Sequence, residues 1–68
     1  MLEIDVRGLA CPEPVVRTMK ALMKSPGGVI VTGDTVASKE NITRFAAAKK
    51  YSVKTEEKDG VYTLTLTK

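Results

Sequence analysis

The chain has 68 residues, 43% hydrophobic, 4% aromatic and 28% charged, with one cysteine and no histidine. A chain of this size buries about 60% of the surface that its unfolded form exposes, enough for one core and too little for two, so residues 1–68 are expected to form a single domain. One cysteine without histidine excludes a disulfide framework, a Cys–His or Ser–His dyad and any zinc cage, and neither a metal nor another cofactor is expected.

The net charge of +3, from 11 basic against 8 acidic residues, gives a basic lean without the clustering of a dedicated nucleic-acid binder; an acidic protein partner fits it as well as RNA. No apolar run approaches the ~20 residues of a membrane helix. Residues 1–5 have neither the basic region nor the apolar stretch of a signal peptide. A cytoplasmic chain with no membrane contact is expected, with its thiol kept reduced.

Leu2, Ile4 and Val6 alternate with Glu3, Asp5 and Arg7, the period of a strand with one buried face. After Gly8, Pro12 and Pro14 restrict a helix to beginning at or near Pro12, because proline is tolerated only where backbone N–H groups lack an internal partner. Val15, Val16, Met19, Leu22 and Met23 then recur at helical spacing, with Arg17, Lys20 and Lys24 between them, until Ser25-Pro26-Gly27-Gly28 stops the helix. The run Val29-Ile30-Val31 before Gly33 reads as an interior strand. A second helix follows, capped by Asp34, Thr35 or Ser38, with Ile42, Phe45, Ala46 and Lys49 on one face. Residues 52–57 and 61–67 form a hairpin through Lys58-Asp59-Gly60. Its second strand turns Tyr62, Leu64 and Leu66 inward and Thr63, Thr65 and Thr67 outward.

The order β-α-β-α-β-β, with polar second faces on the first and last strands, requires both helices on one side of the sheet. The fold expected is an α/β (α+β) two-layer sandwich. Its four-stranded mixed sheet has the first two strands parallel through a right-handed crossover and the last two antiparallel.

Gly8-Leu9-Ala10-Cys11-Pro12-Glu13-Pro14 is the chemically informative segment. A thiol at a helix N-terminus feels the positive end of the helix dipole, which favours the nucleophilic thiolate. Sulfur is a poor capping acceptor, and with Cys11 at the cap Pro14 would stand at the third helical position without an N–H to offer. The prolines then frame the loop instead of serving a cap. Glu13 opposes ionisation by like-charge repulsion, and the sign of the sum stays open. Arg7 is the basic residue placed to support a thiolate. By residue type a lone cysteine is a small core hydrophobe; by position, at a strand-to-helix junction, it lies where partners reach the chain. On the residues alone both readings stand.

The run Asp5-x-x-Gly8-x-x-Cys11-Pro12-x-Pro14, followed by an amphipathic helix, resembles the signature of the TusA/SirA/YedF family of sulfur-carrier proteins, and the resemblance extends along the whole chain. Residues 37–46 look more like the YedF branch, associated with selenium metabolism, than like the tRNA-thiolation branch. The resemblance implies that Cys11 accepts sulfur as a persulfide from a cysteine desulfurase or rhodanese-like donor and passes it to an acceptor protein. It makes Gly8, Pro12, Glu13 and Pro14 the frame around that residue, and the chain a monomeric carrier rather than a stand-alone enzyme. The alternative is a small basic RNA-binding or regulatory module in which Cys11 is redox-sensitive or merely structural. Three aromatic residues, with Phe45 and Tyr62 on expected core faces, supply stacking on RNA bases poorly.

Overall fold

The computed structural model describes residues 2–9 and 13–68; the expectations attached to Cys11 and Pro12 themselves lie outside the described residues. The elements are β1 (Leu2–Asp5), α1 (Glu13–Lys24), β2 (Gly28–Gly33), α2 (Val36–Ala48), β3 (Ser52–Lys58) and β4 (Val61–Thr67). They form one four-stranded sheet in the order β1-β2-β4-β3. β1 runs parallel to β2, and β4 runs antiparallel to both β2 and β3. β3 is therefore parallel to β2, and the chain makes two crossovers, β1-α1-β2 and β2-α2-β3, stepping the same way across the sheet. Two right-handed crossovers in one direction put both helices on one face. They also make α1 and α2 parallel, with both N-termini at the end of the sheet where β1 and β2 finish.

The core lies between sheet and helices: Val29 and Val31 from β2, Tyr62, Leu64 and Leu66 from β4, Val6 beyond β1, Ala21 and Leu22 from α1, and Ile42 and Ala46 from α2. Val29 pairs with Leu66 and Val31 with Leu64, so the two interior strands present one continuous apolar face. On the other face Ile30 and Thr32 lie beside Thr65 and Thr63, all half-buried. The hairpin turns through Asp59 at φ 53° and Gly60 at φ 78°. Two left-handed residues make the turn whose twist matches paired strands, which is why an Asp-Gly pair stands there.

The structure corrects three sequence expectations. Leu2, placed on the buried face of the first strand, is 36% exposed, because β1 is an edge strand and covered only in part. Met19 and Met23, placed on the inner face of the first helix, are 42% and 76% exposed. That face is instead Pro14, Thr18, Ala21 and Leu22. Small side chains along its centre let α1 lie close to the sheet, and Thr18 is cheap to bury because its hydroxyl donates to the Pro14 carbonyl at 2.8 Å. Lys49, grouped with Ile42 and Ala46, is exposed and serves as the C-cap of α2.

Candidate functional site

The loop leaving β1 is built from short-range contacts. The Val6 N–H donates to the Thr32 carbonyl at 2.7 Å and the Leu9 N–H to the Val6 carbonyl at 3.3 Å. Val6 itself is buried, so the loop is anchored in the core immediately before it turns. Gly8 makes the turn at φ 75°, a conformation that costs a residue with a Cβ about 1 kcal/mol or more. Its N–H donates to Asp34 Oδ1 at 3.3 Å. That bond ties the connection leading towards Cys11 to the connection that opens α2.

Arg7 grips Asp5 in a fork. Nη2 donates to Oδ2 at 2.7 Å, Nε to both carboxylate oxygens at 3.0 Å, and the Arg7 N–H to Oδ1 at 2.9 Å. The side-chain bonds first and the backbone bond second hold the Asp5 carboxyl below the usual carboxylate range, and the same pairing raises the guanidinium further. Arg7, expected to support a thiolate, is paired with Asp5 among the described residues, both side chains about half exposed. Glu13 opens α1, exposed, and accepts a bond from Arg17 Nε at 3.4 Å one turn on. Pro14, the second helical residue, is buried against the core.

The three residues that competed as cap of the second helix have three different partners. Thr35 is the cap: its Oγ1 accepts from the Ser38 N–H at 3.3 Å. Asp34 takes the Gly8 N–H. Ser38 is buried, donating to the Thr35 carbonyl at 3.0 Å and lying 2.5 Å from the Tyr62 hydroxyl. Burial pushes the Tyr62 phenol up, the Ser38 bond opposes that in part, and the negative Asp34 adds to it. Gly33 lies directly beneath the Tyr62 ring; a Cβ there would overlap Oη and two ring carbons. Asp34, Ser38, Tyr62 and Gly33 form a fixed platform at the end of the sheet that carries both helix N-termini. Sequence reading assigned Asp34 and Ser38 only to capping and Tyr62 only to the core. The Gly33–Tyr62 overlap had no local signal.

Of the expected site residues, the structure therefore places Arg7, Gly8, Glu13 and Pro14 at this one end, with Cys11 and Pro12 outside the described residues. Among the described residues no aromatic ring is exposed, and no helix is long and apolar enough to cross a membrane.

The fold is that of a small two-layer α+β domain, and comparison with known proteins names the family. The family profile described as Sulfurtransferase TusA matches residues 2–68. The chain belongs to the TusA family, whose members are sulfur carriers. A protein of Methanocaldococcus jannaschii that bears the name of a sulfur carrier protein is 44% identical over 55 residues, covering 78% of this chain and 73% of that one. The crystal structure of a SirA-like protein from Desulfitobacterium hafniense superposes with a TM-score of 0.88 at 37% identity, covering 98% of this chain and 96% of that one.

Proposed function

We propose that Cys11 is the carrier atom's site, and that the chain relays sulfur as a persulfide between a cysteine desulfurase or rhodanese-like donor and an acceptor protein. The observation that carries this reading is the position of the only cysteine, in Cys11-Pro12-Glu13-Pro14, two residues before α1 in a chain of the TusA family. Loading is an exchange with no net oxidation. The Cys11 thiolate attacks the terminal sulfur of the donor's persulfide and a new S–S bond forms. The donor's S–S bond breaks, and its electron pair leaves on the donor thiolate. Delivery repeats the exchange, with the acceptor thiolate as nucleophile and Cys11 as leaving group.

Two features of the chain favour a relay. It has no histidine and no second cysteine, so a persulfide on Cys11 has no internal thiol to resolve it into a disulfide. The α1 N-terminus favours the anionic sulfur in both half-reactions. A lone thiol of this kind belongs in a reducing compartment, the cytoplasm. Residues 37–46 support selenium as the finer reading, and a donor supplied with selenocysteine in place of cysteine separates the two elements by mass.

Incubation with a cysteine desulfurase and free cysteine is expected to add the mass of one sulfur atom, removable by a thiol reductant, and Cys11→Ser is expected to gain nothing. An equal gain by Cys11→Ser, or no gain by the wild-type chain with any desulfurase or rhodanese, overturns the proposal.

A further inference from the structure

The two edges of the sheet are built differently. Beside β3, α2 lines a groove of mixed sign: Lys39 is paired with Glu57 at 3.0 Å, and Glu40 and Arg44 stand next to each other along it. Outward along β3, Lys54, Glu56 and Lys58 alternate with the ladder, the charged pattern that discourages a further strand.

Beside β1, α1 lines a groove of about 610 Å³ with Leu2, Ile4 and Val16 on its apolar side and Arg17, Lys20 and Lys24 along its rim. The acidic residues of this groove, Asp5 and Glu13, are each held by an arginine, and both lie at the end nearest Cys11 in sequence. Lys20 and Lys24 have no ion-pair partner among the described residues. The other end of the groove therefore presents unpaired positive charge over an apolar floor.

The backbone of β1 completes the groove. The Val6 N–H points to β2, and in a parallel ladder alternate residues turn their amides the same way. Leu2 and Ile4 are thus hydrogen-bonded towards β2, while Glu3 and Asp5 turn N–H and C=O to the free edge. Among the described residues these four backbone groups have no strand partner, and they lie beside a positively charged rim. On this strand Leu2 and Ile4 face α1 and Glu3 the other side of the sheet, so an added strand meets the lysines only with alternate side chains.

We propose that this groove is a docking site for an extended acidic segment of a partner protein, which adds to the free edge of β1 and turns carboxylates at alternate positions towards Lys20 and Lys24. The proposal rests on the carrier reading for its biological use, because the groove runs along α1 towards the residues that follow Cys11. Backbone pairing supplies the register and charge complementarity the choice of partner.

The test is a titration of the isotopically labelled chain with a synthetic peptide in which glutamate alternates with valine, read by amide shifts and hydrogen exchange. Saturable shifts and slowed exchange at Glu3 and Asp5 are expected, with affinity about tenfold or more above that for a lysine–valine peptide. Lys20→Glu together with Lys24→Glu is expected to reverse that preference. Glu3→Pro removes an N–H that only an added strand would use; it leaves the β1–β2 ladder intact and is expected to weaken the peptide about tenfold. Unchanged exchange at Glu3 and Asp5, equal affinity for the two peptides, or tighter binding of a single-stranded RNA than of the acidic peptide overturns the proposal. Repeating the titration with Cys11→Ser keeps the two readings apart. Sulfur uptake by the wild-type chain without peptide binding removes the groove alone, and peptide binding without sulfur uptake removes the carrier alone.

Discussion

Tyr62 and Tyr51 close opposite ends of the molecule by different means. Tyr62 is buried, its hydroxyl against Ser38 and its ring over Gly33, so the end bearing both helix N-termini is held by side chains packed without spare room. Tyr51 is half-buried, donates to the Pro26 carbonyl at 2.7 Å and carries Lys68 Nζ at 5.2 Å from its ring centre. Its end is held largely by backbone. The Tyr51 N–H donates to the Ala46 carbonyl and the Lys50 N–H to the Ala47 carbonyl, the two bonds of a Schellman stop after α2. An end closed by packing transmits a one-atom change into the core, whereas one closed by backbone bonds tolerates side-chain exchange and responds mainly to conformational preference.

The largest expected effect comes from breaking the packed end. Gly33→Ala forces Tyr62 off its position, and overpacking of this kind costs about 1–3 kcal/mol. In a domain this small the midpoint of thermal unfolding should fall by roughly 10 °C or more. Because ring carbons as well as Oη occupy the space, Tyr62→Phe in the same chain should not restore the loss. Rescue by that second substitution would mean that the end is held by the hydroxyl rather than by packing.

Tyr62→Phe alone removes one buried hydrogen bond and should cost about 1 kcal/mol, since Ser38 keeps its bonds to Thr35. It should also change the alkaline limb of stability. The phenol titrates higher folded than unfolded, so its contribution is intact below the unfolded value of about 10 and is lost as pH rises through the folded one. Denaturant unfolding at a series of alkaline pH values should show a shallower decline for Tyr62→Phe than for the wild-type chain. Identical slopes would break the assignment.

The smallest effect is a gain at the other end. Lys50 stops α2 at φ 65°, where glycine is the residue without strain. Lys50→Gly should therefore stabilise the chain by about 0.5–1 kcal/mol by denaturant unfolding. A loss would show that the lysine side chain, not the backbone, holds this end.

What the sequence disclosed follows the same division between local and distant causes. The Asp59-Gly60 hairpin, the alternation in β4 and the proline-bounded start of α1 are signals written within a few residues, and the element order with one-sided strands is enough to place both helices together. Periodicity misplaces the inner face of α1, because threonine counts as polar whereas Thr18 satisfies its own hydroxyl on Pro14, and methionine counts as core although Met23 stands in solvent. At the candidate site, Asp34, Thr35 and Ser38 were interchangeable as caps because two of them answer to partners far along the chain, Gly8 and Tyr62. The Asp5–Arg7 fork spans only two residues and is within reach of sequence reading, because the alternation along residues 2–7 already puts both side chains on one side of the chain.

The position of β4 in the sheet also constrains how the protein is made. β4 is the last strand of the domain in chain order and an interior one, lying between β2 and β3. Until residues 61–67 emerge, β2 lacks its antiparallel neighbour and the core lacks Tyr62, Leu64 and Leu66. A chain stopped before Val61 therefore lacks three of the ten buried core residues among those described, and completion of the core depends on this strand. The β2–β4 pairing closes loops as long as that between Gly28 and Thr67, a non-local contact whose closure entropy slows folding.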